Sequence, residues 1–235
     1  MTSQRTVTEM FDDISPRYDF LNHLLSMNID RIWRHKASRM VAKSLNVNTS
    51  VEILDVATGT ADLAIEMAED LPSASITGID LSQKMLDLGQ GKVVEKGLED
   101  RIHLEFDDAQ SMSFDDESFD AVTAAFGVRN FADLDRGLRE MARVLRKGGT
   151  MVILEFSTPS SFWIRGGYRI YSRHLLPWVG RKVSGHKTAY RYLPQSIEGF
   201  PLPEAFCRKM EEAGLKEVRA ENLSGGIAVL YYGRK

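Results

Sequence analysis

Three carboxylates stand at the ends of three short apolar runs. Asp55 comes late in VEILDVA, Asp80 closes SITGID, and IHLEFDD ends in Asp108, followed by Ala109. After the first run the chain reads Ala57-Thr58-Gly59-Thr60-Ala61-Asp62 and then turns helical. A strand, a glycine turn and a helix together suggest a nucleotide-type ligand. The dinucleotide fingerprint needs three spaced glycines, and only Gly59 is glycine here. Pyrophosphate would also be repelled by Asp55 and Asp62. The two acids favour a ligand that is positively charged at the turn. S-adenosylmethionine (SAM), with a sulfonium, an ammonium and no phosphate, suits them better. Asp80 is placed to accept hydrogen bonds from two ribose hydroxyls; otherwise it is an acid favoured at a helix start. Asp108 can accept from an adenine amino group, and a backbone N–H beside it can serve a ring nitrogen. The bland reading is a solvated acidic loop.

A fourth apolar run leaves through AAFGVRNF and delivers Arg129 and Asn130 just after Gly127. An arginine and an amide at the mouth of a ligand site can hold an oxygen on which charge develops. The alternatives are a surface arginine and Asn130 as a helix cap. The five histidines show no ligand spacing with one another or with Cys207, so a bound metal is not expected. Cys207, the only cysteine, lies in EAFCRKMEEAG, an amphipathic pattern that gives it a packing role. There is no P-loop and no nucleophile elbow.

The elements that must position these groups follow from periodicity. Up to about residue 45, Phe11, Ile14, Tyr18, Leu21, Leu24, Leu25, Ile32 and Trp33 recur at helical spacing, interrupted at Ser15-Pro16. From Val51 short apolar runs alternate with helical stretches. Ser82 is a good N-cap, and the helix LDRGLREMARVLRKGG is expected to end at Gly148-Gly149. Two final strands, LKEVRAENL and GIAVLYYGR, predict an antiparallel edge hairpin. The reading is a single α/β domain over residues 1–235, with a mostly parallel doubly wound sheet. It carries a helical N-terminal extension over 1–48 and a helical insertion or lid over 157–200. Ligands in such sheets sit at the carboxyl ends of the strands, where the carboxylates are.

The net charge of −3 argues against nucleic acid as a partner. Its distribution is uneven. Between Glu155 and Glu198 no residue is acidic, while Arg165, Arg169, Arg173, Arg181, Lys182, Lys187 and Arg191 give +7, leaving about −10 elsewhere. Trp163, Tyr168, Leu175, Leu176 and Trp178 are interleaved with the arginines, and Arg165, Arg169 and Arg173 recur every fourth residue. That pattern suits an interfacial helix on an anionic membrane; the alternative is packing on the domain or on a second copy in a homodimer. A lone thiol and an N-terminus without an apolar core point to a cytoplasmic protein that touches a membrane peripherally.

The chain resembles the ubiquinone/menaquinone biosynthesis C-methyltransferases over essentially its whole length. The resemblance rests on MFDDISPRYDFLNHLLSMNIDRIWR, ILDVATGTADLAI, GIDLSQKML, DDAQSMSFDDESFDAVTAAFGVRNF, EMARVLRKGG and YRYLPQSI. It implies the Rossmann-like SAM-dependent methyltransferase fold. It also implies that Thr60, Asp80, Asp108 and Ala109 contact SAM, with Asp55, Gly59 and Asp62 shaping the amino-acid end. Ala61 and Ala125 depart from the family pattern, which often has glycine and serine there. Tyr18, Arg129 and Asn130 match positions placed around a quinol ring, and Tyr190 and Tyr192 are candidates for lining the quinone entrance. The implied activity is C-methylation of a prenylated quinol, with demethylmenaquinol first. A methoxy-benzoquinol of ubiquinone biosynthesis, or a small-molecule O- or N-methylation, is the alternative. An NAD-dependent oxidoreductase fits the strand pattern but not the missing glycines, and a non-catalytic binding subunit is disfavoured by the complete set of carboxylates.

Overall fold

In the computed structural model the described residues are 12, 26, 28–45, 50–159 and 187–235, with 187–191 described by their backbone alone. Helix α1 (Ile29–Ser44) leads into β1 (Val51–Val56) and α2 (Asp62–Asp70). Strand β2 (Ala74–Asp80), helix α3 (Gln83–Glu95) and strands β3 (Ile102–Phe106) and β4 (Phe119–Ala125) follow. Helix α4 (Leu134–Val144) and strand β5 (Leu145–Phe156) complete the alternating part. Helices α5 (Lys187–Gly199) and α6 (Pro203–Glu212) precede the hairpin strands β6 (Lys216–Leu223) and β7 (Ala228–Arg234).

The sheet has seven strands in the order β3-β2-β1-β4-β5-β7-β6. Strands β1 to β5 pair in parallel, while β7 runs antiparallel to both β5 and β6. The expected hairpin is present, and its second strand is the inner one. The chain winds outward in opposite directions from β1 and β4, so their carboxyl ends flank the crevice where such sheets bind ligands.

The central strands are buried on both faces, as parallel strands covered by helices must be. Trp33, Ala37 and Val41 of α1 lie in one core with α2, Tyr232 and Leu230. The last helix of the N-terminal extension is therefore part of the domain's core. Ile32, which the spacing grouped with Trp33, is 67% exposed. On the other face Leu138 and Met141 of α4 pack with Phe206 and Met210 of α6.

One boundary differs from expectation. Helix α4 stops at Val144, not at Gly148-Gly149. Its last carbonyls are taken early: Glu117 and Ser118 donate their N–H groups to Arg143 and Val144 at 3.0 and 2.8 Å. The Lys235 ammonium donates to the carbonyls of Arg143 and Leu145 at 3.2 and 2.8 Å. Leu145 then pairs with Phe119 and begins β5. Gly149 serves packing, since a Cβ there would come within 2.8 Å of the Arg146 and Asp120 carbonyls. The N-terminal residues before α1, and the acid-free stretch that contains Arg165, Arg169 and Arg173, lie outside the described residues.

Candidate active site

The turn after β1 is built on Asp55. Its carboxylate is 1% exposed and accepts from the Thr58 hydroxyl at 2.7 Å and the Thr123 hydroxyl at 2.8 Å. Burial raises its pKa from 3.8 to about 6, against the lowering effect of the two hydroxyls. Asp80 ties the same turn to β2: one carboxylate oxygen accepts from the Gly59 N–H and the other from the Ser82 N–H, both at 2.9 Å. Burial raises the Asp80 pKa as well, with those backbone donors opposing it. Each Asp80 oxygen can accept a second hydrogen bond, so the carboxylate retains acceptors for ligand hydroxyls. Ser82 caps α3 as expected, accepting from the Met85 N–H at 3.2 Å.

The backbone here is in unfavourable conformations. Ala57, Ala61 and Phe126 have φ of +53°, +65° and +58° without being glycine. Such residues cost about 1–3 kcal/mol each and collect at ligand sites. Ala61, one of the departures from the family pattern, thus holds a left-handed conformation with its β-carbon in place. Gly127 has an ordinary φ of −112°, so it is not needed for a special turn. It is needed for proximity, because a Cβ there would lie 2.5 Å from the Ala57 Cβ.

These segments line a cleft that is partly open to solvent. Asp55, Gly59, Thr60, Asp62, Asp80, Asp108 and Ala109 all line it, so the structure brings the sequence-derived cofactor residues together. A Cβ on Gly59 would meet no atom within 4 Å, so the crest of the turn faces open space. Asp62 is also countered within the protein, by Arg34 at 3.1 Å and by Lys92. Asp108 Oδ1 accepts from the Gln110 N–H at 2.9 Å. A cleft lined by acids at the ends of β1, β2 and β3, with no phosphate-binding glycine loop, fits SAM.

Asn130 lines the cleft but does not cap α4; Asp133 does, accepting from the Arg136 N–H at 2.9 Å. The Asn130 Oδ1 instead accepts from the Tyr192 hydroxyl at 2.9 Å. Burial raises the Tyr192 pKa, which keeps it a neutral donor. Arg129 is neither on the surface nor among the residues lining the cleft. Its guanidinium is 4% exposed, donates to Glu155 Oε1 at 2.8 Å and to the Phe126 carbonyl, and stands 5.4 Å from the Phe156 ring. Its Nε is buried without a partner. Tyr18 and the Tyr190 side chain lie outside the described residues.

The sequence reading missed Glu155, Thr58, Thr123 and Arg34. Glu155 ends an apolar run, as Asp55 and Asp80 do, and that signal could have found it. The two threonines and Arg34 carry no such mark. Among the described residues one group, His35, Glu66 and Asp70, brings possible metal-ligand atoms within 4.8 Å of one another. It lies on the α1–α2 surface, and sequence spacing could not show it because His35 is 31 residues from Glu66 and meets it only when α1 packs on α2. No helix among the described residues is long and apolar enough to cross a membrane.

Solved structures with the same architecture include the cyclase SpnF, with a TM-score of 0.70, 19% identity, and coverage of 99% of this chain and 97% of that one. A SAM-dependent methyltransferase from Aquifex aeolicus matches with a TM-score of 0.60 and 16% identity over 83% of this chain and 88% of its own. In sequence, the Demethylmenaquinone methyltransferase of Bacteroides fragilis is 44% identical over 97% of this chain and 92% of its own length. The protein of the same name from Deinococcus radiodurans is 46% identical over 98% and 93%. The Ubiquinone/menaquinone biosynthesis C-methyltransferase UbiE of a Geobacter species is 46% identical over 97% and 96%. The model of the ubiE/COQ5 methyltransferase family matches residues 1–235. With its Rossmann-like SAM methyltransferase fold and these relatives, the chain belongs to the ubiE/COQ5 methyltransferase family.

Proposed function

We propose that this protein transfers a methyl group from SAM to a ring carbon of demethylmenaquinol, the substrate class named in its relatives. The observation that carries the reading is the acidic cleft at the β1–β4 switch point, with Asn130 beside the cofactor carboxylates. SAM, when bound, supplies an electrophilic methyl on a sulfonium. Asp80 is assigned to the ribose, Asp108 and Ala109 to the adenine, and Asp55, Gly59, Thr60 and Asp62 to the amino-acid end.

A ring carbon beside a phenol becomes a competent nucleophile as the hydroxyl loses its proton. Tyr192 fixes the Asn130 amide through Oδ1, which leaves the amide Nδ2 as a donor for the developing phenolate. Arg129 contributes positive charge from behind that turn. Its Nε is buried away from the cleft, so the guanidinium acts on the quinol oxygen through its field and not through a direct hydrogen bond. An arginine stays protonated, so it serves as an electrostatic and positioning group and not as the base. Tyr18 and Tyr190 are assigned to the ring and its entrance. Most of the acceleration comes from holding two reactants in contact.

The same reading assigns residues 157–200 to a lid that meets the prenyl tail, its arginines drawing the protein to an anionic membrane surface. In that case binding to liposomes requires anionic lipid and weakens as salt rises. Co-sedimentation with neutral and anionic vesicles at two salt concentrations tests this. Sedimentation indifferent to lipid charge would return the insertion to an intramolecular or homodimer contact.

The activity itself is tested with methyl-labelled SAM and three acceptors: a short-tailed demethylmenaquinol, a methoxy-benzoquinol and a catechol. Mass spectrometry should find the label on a ring carbon of the first. Label on the benzoquinol alone would place the enzyme in ubiquinone synthesis, and label on catechol oxygen alone would overturn C-methylation.

A further inference from the structure

The cleft carries five lining aspartates, Asp55, Asp62, Asp80, Asp107 and Asp108, and among the described lining residues a single cation, Arg34. Arg34 does not come from the turn or from any strand end. Helix α1 brings it in, its side chain 9% exposed. Its neighbour Trp33 is buried and donates from Nε1 to the Ser224 hydroxyl at 3.0 Å, which fixes how α1 lies on the domain.

The guanidinium is held by one of its three nitrogens. Nη2 donates to Asp30 Oδ2 at 2.6 Å, one helical turn earlier, and lies 3.1 Å from Asp62 Oδ2. Lys92 meets the other Asp62 oxygen and also donates to the Thr60 hydroxyl at 2.9 Å. Asp30, Arg34, Asp62 and Lys92 thus form a charge-balanced chain from α1 through the cofactor turn to α3. A guanidinium has five N–H donors in a fixed fork. With Nη2 engaged, Nη1 and Nε have no hydrogen-bond partner among the described residues, and Arg34 is one of the residues lining the cleft.

We infer that Arg34 anchors the α-carboxylate of SAM, an assignment that rests on the methyltransferase reading above. The amino-acid end of SAM is a zwitterion. Its ammonium has aspartates on several sides of this cleft, but its carboxylate is repelled by all of them. Among the described lining residues, Arg34 alone offers opposite charge and a planar pair of donors. The placement also makes α1 part of cofactor recognition.

The test is calorimetric binding of S-adenosylhomocysteine, its decarboxylated amine analogue and 5′-methylthioadenosine to the full-length protein. Wild type should bind S-adenosylhomocysteine about 10–100-fold more tightly than the decarboxylated amine, the loss expected for a charge-assisted pair. Without an anchor the extra positive charge of the amine would make it bind as tightly or more tightly in so acidic a cleft, and that result overturns the proposal. Arg34→Met should weaken S-adenosylhomocysteine by the same factor and leave 5′-methylthioadenosine, which lacks the amino-acid end, unchanged. Arg34→Lys should fall between. Equal losses for both ligands would reduce Arg34 to a fold contact and overturn the inference. If Arg34→Met does not fold, the wild-type comparison of the first two ligands decides alone. A wild type that binds neither SAM nor S-adenosylhomocysteine refutes the methyltransferase reading together with the anchor. One that binds S-adenosylhomocysteine and its decarboxylated analogue alike refutes the anchor only.

Discussion

Replacing Asp55 by asparagine isolates a charge that the fold buries at a cost. The carboxyl is 1% exposed and its pKa is raised from 3.8 to about 6, mainly by desolvation. A difference of that size corresponds to about 3 kcal/mol. The folded protein holds this proton more tightly than the unfolded chain, so between pH 4 and 6 the native state binds more protons. Its stability from this group is greatest below about pH 4 and declines as pH rises to about 6. Above that the ionised carboxylate costs a constant amount. Asparagine cannot ionise. It keeps an acceptor for one of the Thr58 and Thr123 hydroxyls and offers an N–H to the other, which need only rotate. The Asp55→Asn variant should therefore gain on wild type by up to about 3 kcal/mol between pH 4 and pH 7.5. Urea unfolding followed by tryptophan fluorescence at several pH values measures the difference, in which the titrations common to both proteins cancel. A wild-type-minus-variant difference that stays flat across this range would refute the reasoning, because Asp55 would then titrate as an ordinary carboxylate. The proposed function gives the same charge to the cationic end of SAM, so SAM affinity of the wild type should fall as pH drops from 7 to 5, and much less in the variant.

Ala61→Gly should stabilise the protein by about 0.5–1 kcal/mol in urea unfolding, since glycine relieves a left-handed φ of +65° at some entropic cost; a loss of stability would show that the alanine β-carbon is valued for packing. Glu155→Gln should destabilise by about 3–5 kcal/mol, because it leaves the 4% exposed Arg129 guanidinium without its counter-charge. A near-neutral effect there, measured as a melting shift, would mean that another acceptor takes over the arginine.

Local chemistry made much of this protein legible in its sequence. Apolar runs closed by carboxylates marked β1, β2 and β3 and the three acids that line the cleft at their ends. Ser82 caps α3 because a hydroxyl before a helical run satisfies a free N–H wherever the helix lies. The edge hairpin needed only two alternating segments joined by a short turn. The fold class follows from strand–helix alternation, because a parallel strand needs a crossover and the crossover helix must cover a face.

What remained hidden depends on partners distant in the chain. Helix α4 ends at Val144 because residues 117, 118 and 235 capture its last carbonyls, and helical periodicity continues past that point without a mark. Gly127 reads as the means of a sharp exit from the strand, yet its φ is ordinary and it is glycine because the Ala57 β-carbon passes against it. Arg129 reads as an exposed ligand arginine, yet a carboxylate 26 residues later turns it into the interior. Arg34 looks like one more surface charge on a basic helix. Only the docking of α1, set by Trp33 and Ser224, carries that charge into a cleft made by strands it does not belong to. Residue type and spacing decide what a group can do, but burial and opposite charge brought from afar decide which groups face the ligand.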